Sequence, residues 1–152
     1  MSVQFELRRD DQLGPDSLAM IAESEEEQAA IYPAEVRYAF SPDQLRGAGV
    51  VFVTAYIGST LVGCGGFAPC SGYGELKRIF VTRAARGQGL SRRIVDWLEH
   101  EARALGLPLM RLETGEDSPA ALRIYETMGY RLIGAFGSYR ENGSSVFMEK
   151  AL

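Results

Sequence analysis

The stretch that decides the fold of this chain is Arg86-Gly87-Gln88-Gly89-Leu90-Ser91. It follows an apolar run, Leu76 to Thr82, that is typical of a buried strand, and it opens an amphipathic run, Leu90 to Leu105, that is typical of a helix. A strand, a glycine-rich turn and a helix N-terminus together form an anion site, because unpaired backbone N–H groups and the helix dipole face the ligand. The glycines allow close approach to those N–H groups, and Arg86 adds a forked cation. The sequence therefore predicts a site for a ligand that contains a diphosphate.

Two common phosphate-binding loops do not fit this stretch. A Walker A loop needs a Gly-Lys pair, which the chain lacks. A dinucleotide fingerprint needs a third glycine where Arg92 stands, and no βαβ unit precedes it. The pattern that fits is Arg/Gln-x-x-Gly-x-Gly/Ala, with Arg86, Gly89 and Ser91 at its defined positions. Ser91 departs from the usual Gly or Ala, but it is also small.

A second segment further along the chain completes a recognisable pattern. Residues 118–130, Ser-Pro-Ala-Ala-Leu-Arg-Ile-Tyr-Glu-Thr-Met-Gly-Tyr, read as a short helix that ends in Tyr-x-x-x-Gly-Tyr, and Glu75 to Val81 reads as a strand before the loop. Together with the diphosphate loop, this order resembles the GNAT superfamily of N-acetyltransferases, which bind acetyl-CoA. The resemblance covers the chain from about Val50 onwards and, more loosely, the elements before it. Residues 112–115, 136–139 and 145–150 resemble one branch of small bacterial members.

Hydrophobic periodicity and turn residues predict the order β-α-α-β-β-β-α-β-α-β-β, which is that of the GNAT fold. The resemblance implies an α/β (α+β) fold in which a mixed sheet of about seven strands is flanked by about four helices and splayed between the fourth and fifth strands. Residues 1–152 are expected to form a single domain. The expected strands are Val3–Arg9, Val50–Ile57, Thr60–Phe67, Tyr73–Thr82, Leu109–Thr114, Tyr130–Phe136 and Ser145–Lys150, and the expected helices are Asp16–Ile31, one after Pro42, Leu90–Leu105 and one within 118–129.

Local signals add detail to this outline. A cap near Asp16 is expected to begin the first helix, and Pro33 to stop it. Gly58-Ser59 predicts a hairpin turn. Gly65-Gly66 predicts a bulge or a close backbone approach in the third strand.

Composition limits the function classes. The net charge of −4 argues against general nucleic-acid binding, which usually needs a basic face. No apolar run approaches the roughly twenty residues that span a bilayer, and no signal-peptide core is seen, so we expect a cytoplasmic protein with no membrane partner.

Cysteine and histidine content also excludes chemistries. Cys64 and Cys70 have no neighbouring ligands, so we expect core packing and neither a metal site nor a disulfide. The single histidine, His100, stands between Glu99 and Glu101 and is expected at the surface. Hydrolytic triads are therefore set aside.

The resemblance implies catalytic roles for particular residues. Tyr125 stands where the family carries the tyrosine that protonates the leaving thiolate, and a phenol is a plausible donor; the alternative is a core aromatic. Glu75 is the first candidate for the base that accepts the amine proton, with a cross-strand ion pair to a lysine or arginine as the equally weighted alternative. Glu113 is the second candidate. No acyl-enzyme nucleophile is evident, so direct transfer is expected.

The resemblance also implies binding residues and partners. Acetyl-CoA would be the co-substrate, and a small-molecule amine would be the acceptor. Dimers are common in the family, so a homodimer is a possible assembly. The expected coenzyme-binding residues are Phe80, Val81, Arg86, Gly87, Gln88, Gly89, Leu90, Ser91, Ser118 and Ala121, and the expected acceptor-binding residues are Tyr32, Arg37, Tyr73, Lys77 and Tyr139.

The sequence leaves the acceptor and one rival function open. Arg37 and Lys77 favour an amino-acid-like acceptor, whereas the acidic run Glu23 to Glu27 favours a polyamine-like one, unless each is simply a solvated surface charge. A non-catalytic acyl-CoA sensor is the alternative from another class, although it would not need Tyr125. A peptide or protein N-acetyltransferase is the third possibility.

Overall fold

A mixed sheet forms the centre of the protein in the computed structural model, which describes residues 3–33, 40–115 and 119–152. The element order of the described residues matches the predicted order. The strands are β1 (Glu6–Arg9), β2 (Val51–Ile57), β3 (Thr60–Cys70), β4 (Tyr73–Val81), β5 (Leu109–Gly115), β6 (Arg131–Ile133) and β7 (Ser145–Ala151), and the helices are α1 (Pro15–Ile31), α2 (Pro42–Gly47), α3 (Leu90–Ala104) and α4 (Pro119–Thr127).

The seven strands lie in the order β1-β2-β3-β4-β5-β7-β6. All neighbouring pairs are antiparallel except β4 and β5, which run parallel. That parallel pair is short, because it joins only Gly74 to Met110 and Glu75 to Arg111. Both strands continue beyond this junction, so the sheet opens into a wedge there, as predicted.

Helices cover both faces of the sheet. The apolar stripe of α3, with Ile94 and Leu98 fully buried, packs with Tyr125 of α4 and with Met128 just after that helix, in a core that covers one face. The helices α1 and α2 cover the other face, where Met20 and Leu45 pack in a second core. No helix in the described part of the chain is long and apolar enough to cross a membrane.

The helix ends follow the predicted signals with one correction. The N-cap of α1 is Gly14, and its N–H donates to the Asp10 carboxylate at 2.8 Å. Asp16, the expected cap, lies in the first turn and accepts a hydrogen bond from the Tyr56 hydroxyl at 2.5 Å. Gly106 has a φ of +77° just after α3, which fits its predicted role in ending that helix.

The ends of the strands were predicted less accurately than their positions along the chain. The first strand begins at Glu6 rather than Val3, and β3 continues to Cys70 rather than ending at Phe67. The sixth strand was expected over Tyr130–Phe136, but β6 pairs with β7 only over Arg131–Ile133. A glycine follows Ile133, and glycine weakens a strand because it adds backbone entropy and no packing side chain.

Candidate active site

A cavity of about 150 Å³ lies at the wedge between β4 and β5. This acceptor cavity, as we name it, is walled by α1, by both strands, by the Tyr125 of α4 and by the segment before β7. Its lining residues are Ser24, Glu25, Gln28, Tyr32, Leu76, Arg78, Ile79, Leu112, Glu113, Thr114, Gly115, Tyr125 and Ser144.

A bulge in β4 forms one wall of the acceptor cavity. The register with β3 shifts there, so that Arg78 and Ile79 together lie opposite Gly65. A Cβ at Gly65 would lie 2.6 Å from Ile79 Cδ1, so the close approach expected at Gly65-Gly66 is present, while the extra residue of the bulge lies in β4 rather than in β3. Arg78 has a φ of +59°, a left-handed conformation that costs a non-glycine residue roughly 1–2 kcal/mol. Its buried guanidinium offsets that cost by donating to the Phe40 carbonyl at 2.7 and 3.0 Å and by pairing with Glu25 at 2.5 Å.

Tyr125 reaches the cavity from α4 with only 8% of its surface exposed. Its ring packs edge-on against Tyr130 at 5.6 Å, and the Tyr130 hydroxyl donates to the buried carboxylate of Glu99 at 2.7 Å. Burial raises the pKa of Tyr125 well above the usual value for a phenol, so the hydroxyl stays protonated at neutral pH. Both expectations for this residue are therefore compatible with its position: it packs in the core and it borders the cavity.

Tyr32 closes another wall at the end of α1. It is 8% exposed, and among the described residues its hydroxyl is the one buried side-chain polar atom without a hydrogen-bond partner. The hydroxyl lies against Gly115, where a Cβ would come within 1.9 Å of it. Only glycine at the end of β5 leaves room for this tyrosine, and no local pattern in the sequence indicates that the two residues meet.

Glu113 is the carboxylate that β5 contributes to the cavity. The Ser145 hydroxyl donates to it at 2.6 Å, and Asn142 Nδ2 in turn donates to that hydroxyl at 3.1 Å. Burial raises the pKa of Glu113, and the Ser145 hydrogen bond opposes this in part. A carboxylate with a raised pKa is suited to accept a proton near neutral pH.

Glu75, Lys77 and Tyr139 form a buried cluster outside the cavity lining. Lys77 Nζ lies 2.7 Å from Glu75 Oε2 and 2.7 Å from the Tyr139 hydroxyl, and that hydroxyl donates to Glu75. The ammonium also lies 4.1 Å from the Phe40 ring centroid. Glu75 is therefore in an ion pair, as the alternative expected, but its partner is a lysine of the same strand rather than one across the sheet.

The remaining residues predicted to bind the acceptor lie in different places. Tyr73 lies near the start of β4, with its ring 5.7 Å from Phe136 and under the Arg111 guanidinium at 4.6 Å, and it does not line the cavity. Arg37 lies outside the described residues. Of the four expected acceptor residues that the structure describes, Tyr32 is the one that lines the cavity.

The glycine-rich loop has room for a diphosphate. Gly87 and Gly89 have φ values of +82° and +83°, and a Cβ at either position would meet nothing within 4 Å. The surface above these glycines is open, and the backbone N–H groups at the start of α3 lie beside it. The loop and helix start therefore have the open geometry of an anion site, and their role in holding a diphosphate stays a prediction.

Arg86 has a partner that the sequence did not reveal. Its Nη2 donates to both carboxylate oxygens of Glu27 on α1, at 2.8 and 2.7 Å, and its Nε donates to the Val81 carbonyl at 2.9 Å. Glu27 and Glu25 both belong to the acidic run, and both hold arginines of the site. This part of α1 is thus more than a solvated charged face.

Other predicted coenzyme residues lie in different settings. Leu90 is 2% exposed and packs in the core, so that only its backbone faces the loop. Phe80 is buried in the second core, and Ala121 is half-buried on α4. Gln88 and Ser91 lie on the loop and the first turn of α3, and Ser118 lies outside the described residues.

The residues set aside as nucleophiles stay outside the site. The Cys64 thiol donates to the Arg78 carbonyl at 3.3 Å, and burial raises its pKa to about 12. Cys70 is partly exposed, and His100 is exposed on α3. Among the described residues, no group of three or more metal-ligating side chains comes together.

Comparisons with known proteins agree with this geometry. The sequence profile of the acetyltransferase (GNAT) family matches residues 17–130. An IAA acetyltransferase of Azospirillum brasilense is 40% identical over 80% of this chain and 81% of its own length. A crystal structure of a Klebsiella pneumoniae protein assigned as an acyl-CoA N-acyltransferase superposes with a TM-score of 0.83 at 28% identity, over 99% of both chains. The PaiA N-acetyltransferase of Thermoplasma acidophilum, solved with coenzyme A, superposes with a TM-score of 0.74 at 19% identity, over 98% of this chain and 99% of its own.

A mixed sheet that opens between β4 and β5, with a glycine-rich loop at the start of α3, defines an acyl-CoA-dependent transferase fold. The chain belongs to the GNAT acetyltransferase family. It is an acyltransferase, as predicted from its motifs.

Proposed function

We propose that this protein transfers the acetyl group of acetyl-CoA to a primary amine of a small molecule, directly, within a ternary complex. The observation that carries the proposal is the acceptor cavity itself. It lies at the wedge between β4 and β5 and brings together the β4 bulge, a carboxylate and the buried hydroxyl of Tyr125. These are the groups that acetyl transfer needs.

The coenzyme would bind along the open edge of β4. The backbone N–H groups from Gly87 to Ser91 would hold the diphosphate, and Arg86 would add charge to it. The main chain at Phe80 and Val81 would pair with the pantetheine arm, and 118–121 would flank it. The coenzyme A bound to the Thermoplasma acidophilum relative supports a coenzyme site in this fold.

The chemistry begins when the amine nitrogen attacks the thioester carbonyl carbon. Negative charge then develops on the carbonyl oxygen, and backbone N–H groups that the bulge at Arg78 and Ile79 frees from the ladder would stabilise it. The C–S bond then breaks, and the thiolate receives a proton from Tyr125. The raised pKa of Tyr125 keeps that proton in place until the thiolate forms beside it.

Glu113 is the base that the geometry favours. It lines the cavity, and its nearest partner is a hydroxyl rather than a cation. Glu75, the first candidate from sequence, is engaged with Lys77 and Tyr139 and would act only if that cluster rearranged. Replacement of each glutamate by glutamine separates the two assignments, because only the true base controls the acidic limb of the rate profile.

The test is release of free thiol from acetyl-CoA in the presence of amines, amino acids, aminoglycosides and short peptides, together with mass detection of the acetylated product. Acceptor-dependent release with an acetylated amine supports the proposal. Acetylation of peptides alone would replace the small-molecule assignment. Binding of acetyl-CoA without transfer to any acceptor would identify the protein as an acyl-CoA sensor.

A further inference from the structure

Among the described charged residues that line the acceptor cavity, some have an ion-pair partner and one does not. Arg78 and Glu25 pair with each other at 2.5 Å. Glu113 has a hydroxyl partner, Ser145, and no ion pair with any described residue. Glu113 is therefore a carboxylate of the described lining without an ion pair, although the charge of Lys77 in the neighbouring cluster acts on it. A ligand that brings a positive charge into the cavity would supply that ion pair.

The buried hydroxyl of Tyr32 adds a second group without a partner. It lies against Gly115, which is two residues beyond Glu113 on β5. Side chains two residues apart on a strand point to the same face and lie roughly 6.5–7 Å apart. The hydroxyl and the carboxylate thus lie towards the same face of β5, and both residues line the cavity, so an ammonium group bound between them would donate to both.

A carboxylate on the ligand would find no free cation among the lining residues that the structure describes. Arg78 is the only cation among the described lining residues, and Glu25 and the Phe40 carbonyl already engage it. Lys77 lies behind the lining and is held by Glu75 and Tyr139. A carboxylate close to the amine would instead lie near Glu113 and be repelled by it.

The size of the cavity limits how much of the acceptor it can hold. Its volume of about 150 Å³ equals that of a known protein cavity that binds benzene, so it holds roughly six non-hydrogen atoms. A longer acceptor would place only its amine end here.

We infer that the acceptor is an amine without a carboxylate on its amine-bearing carbon, bound as an ammonium between Glu113 and the Tyr32 hydroxyl. The inference rests on the proposed function, and it selects the amine-type acceptors over the amino-acid-like ones. Glu113 takes one proton from the ammonium, which frees the nitrogen lone pair for attack. The C–N bond forms as the C–S bond breaks, and a second proton from nitrogen balances the proton that the thiolate gains. The products are the N-acetyl amine, the free thiol of coenzyme A and one proton.

The experiment compares amine and amino-acid pairs that differ by one carboxylate: tyramine with tyrosine, phenethylamine with phenylalanine, and agmatine with arginine. kcat/KM is measured by thiol release for the wild type, for Glu113→Gln and for Glu126→Gln, which removes an exposed carboxylate of α4 as a control. Binding of the same compounds to the protein loaded with coenzyme A is measured by calorimetry, so that the inference is tested even if no transfer occurs. A titration of coenzyme A alone tests the coenzyme site separately.

We expect the amine of at least one pair to bind and react at least about tenfold better than its amino acid, because hydrogen bonds to a charged group are stronger than those between neutral groups. Glu113→Gln should lose that preference and Glu126→Gln should keep it, with coenzyme A affinity unchanged in both. Amino acids that bind as well as their amines would overturn the inference, and so would a preference that survives in Glu113→Gln. Loss of amino-acid activity in an Arg37→Gln variant would assign a carboxylate site and overturn it as well. Absence of transfer together with preferential amine binding would refute the proposed function alone.

Discussion

The ion pair between Glu27 and Arg86 predicts that one acidic residue weakens coenzyme binding. Both N–H bonds of Arg86 Nη2 go to the Glu27 carboxylate, so a diphosphate must compete with Glu27 for that group. The side chains are 41% and 27% exposed, and ion pairs of this exposure contribute about 0.2–1 kcal/mol. Glu27→Gln should therefore lower the dissociation constant for coenzyme A by roughly 1.4- to 5-fold.

The assay is calorimetric titration of coenzyme A at low and high ionic strength. The gain should shrink at high salt, because exposed charges are screened over about 10 Å at 0.1 M. Glu26→Gln is the matched control, since it removes the same charge from an exposed position one residue away. Weaker binding in Glu27→Gln would show that Glu27 instead orients Arg86 for the ligand. An equal gain in Glu26→Gln would attribute the effect to net charge and refute the competition.

Four further outcomes follow from the contacts described above. Tyr125→Phe should lower kcat by at least about a hundredfold and leave coenzyme A affinity unchanged; an unchanged single-turnover rate would remove its role as an acid. The rate should rise as the pH passes through the raised pKa of Glu113, because the base must be ionised, and this limb of the pH profile should vanish in Glu113→Gln. Gly65→Ala should destabilise the fold by about 1–3 kcal/mol in urea titrations, since its Cβ would lie 2.6 Å from Ile79. Glu75→Gln should cost about 3 kcal/mol by the same measurement, because it leaves a buried lysine unpaired; a fully stable variant would contradict that account.

The order of elements could be predicted because each one carries a local signal. The helix α3 is predicted by apolar residues at helical spacing, such as Ile94 and Leu98, and by Gly106 at its end. The proposed coenzyme loop could be predicted because a diphosphate needs exposed backbone N–H groups, and glycines leave those groups accessible. Gly65 on β3 correctly indicated an irregularity in the sheet, but the sequence did not show that the extra residue of the bulge lies in β4.

The contacts that shape the acceptor cavity could not be predicted, because they join distant parts of the chain. Glu27 and Arg86 are 59 residues apart, and Glu75 and Tyr139 are 64 apart. Gly115 looks like an ordinary strand end, and only the fold brings Tyr32 onto it. The left-handed backbone of Arg78 could not be predicted, because arginine has no preference for that conformation. Its two hydrogen bonds to the Phe40 carbonyl and its ion pair with Glu25 hold it there.

The short parallel junction also bears on how the molecule unfolds. Only two residue pairs join the β1–β4 part of the sheet to the part made of β5, β7 and β6, whereas the ladders within each part are mostly longer. Local opening is cheapest where few contacts must break, so amide exchange should be fastest along this line of the sheet. A substrate in the wedge touches both parts and adds RT ln(1 + [L]/Kd) to their resistance to separation. A ligand bound in the wedge would thus add its own contacts to those of the core shared by both parts of the sheet, and so make the two parts unfold more cooperatively.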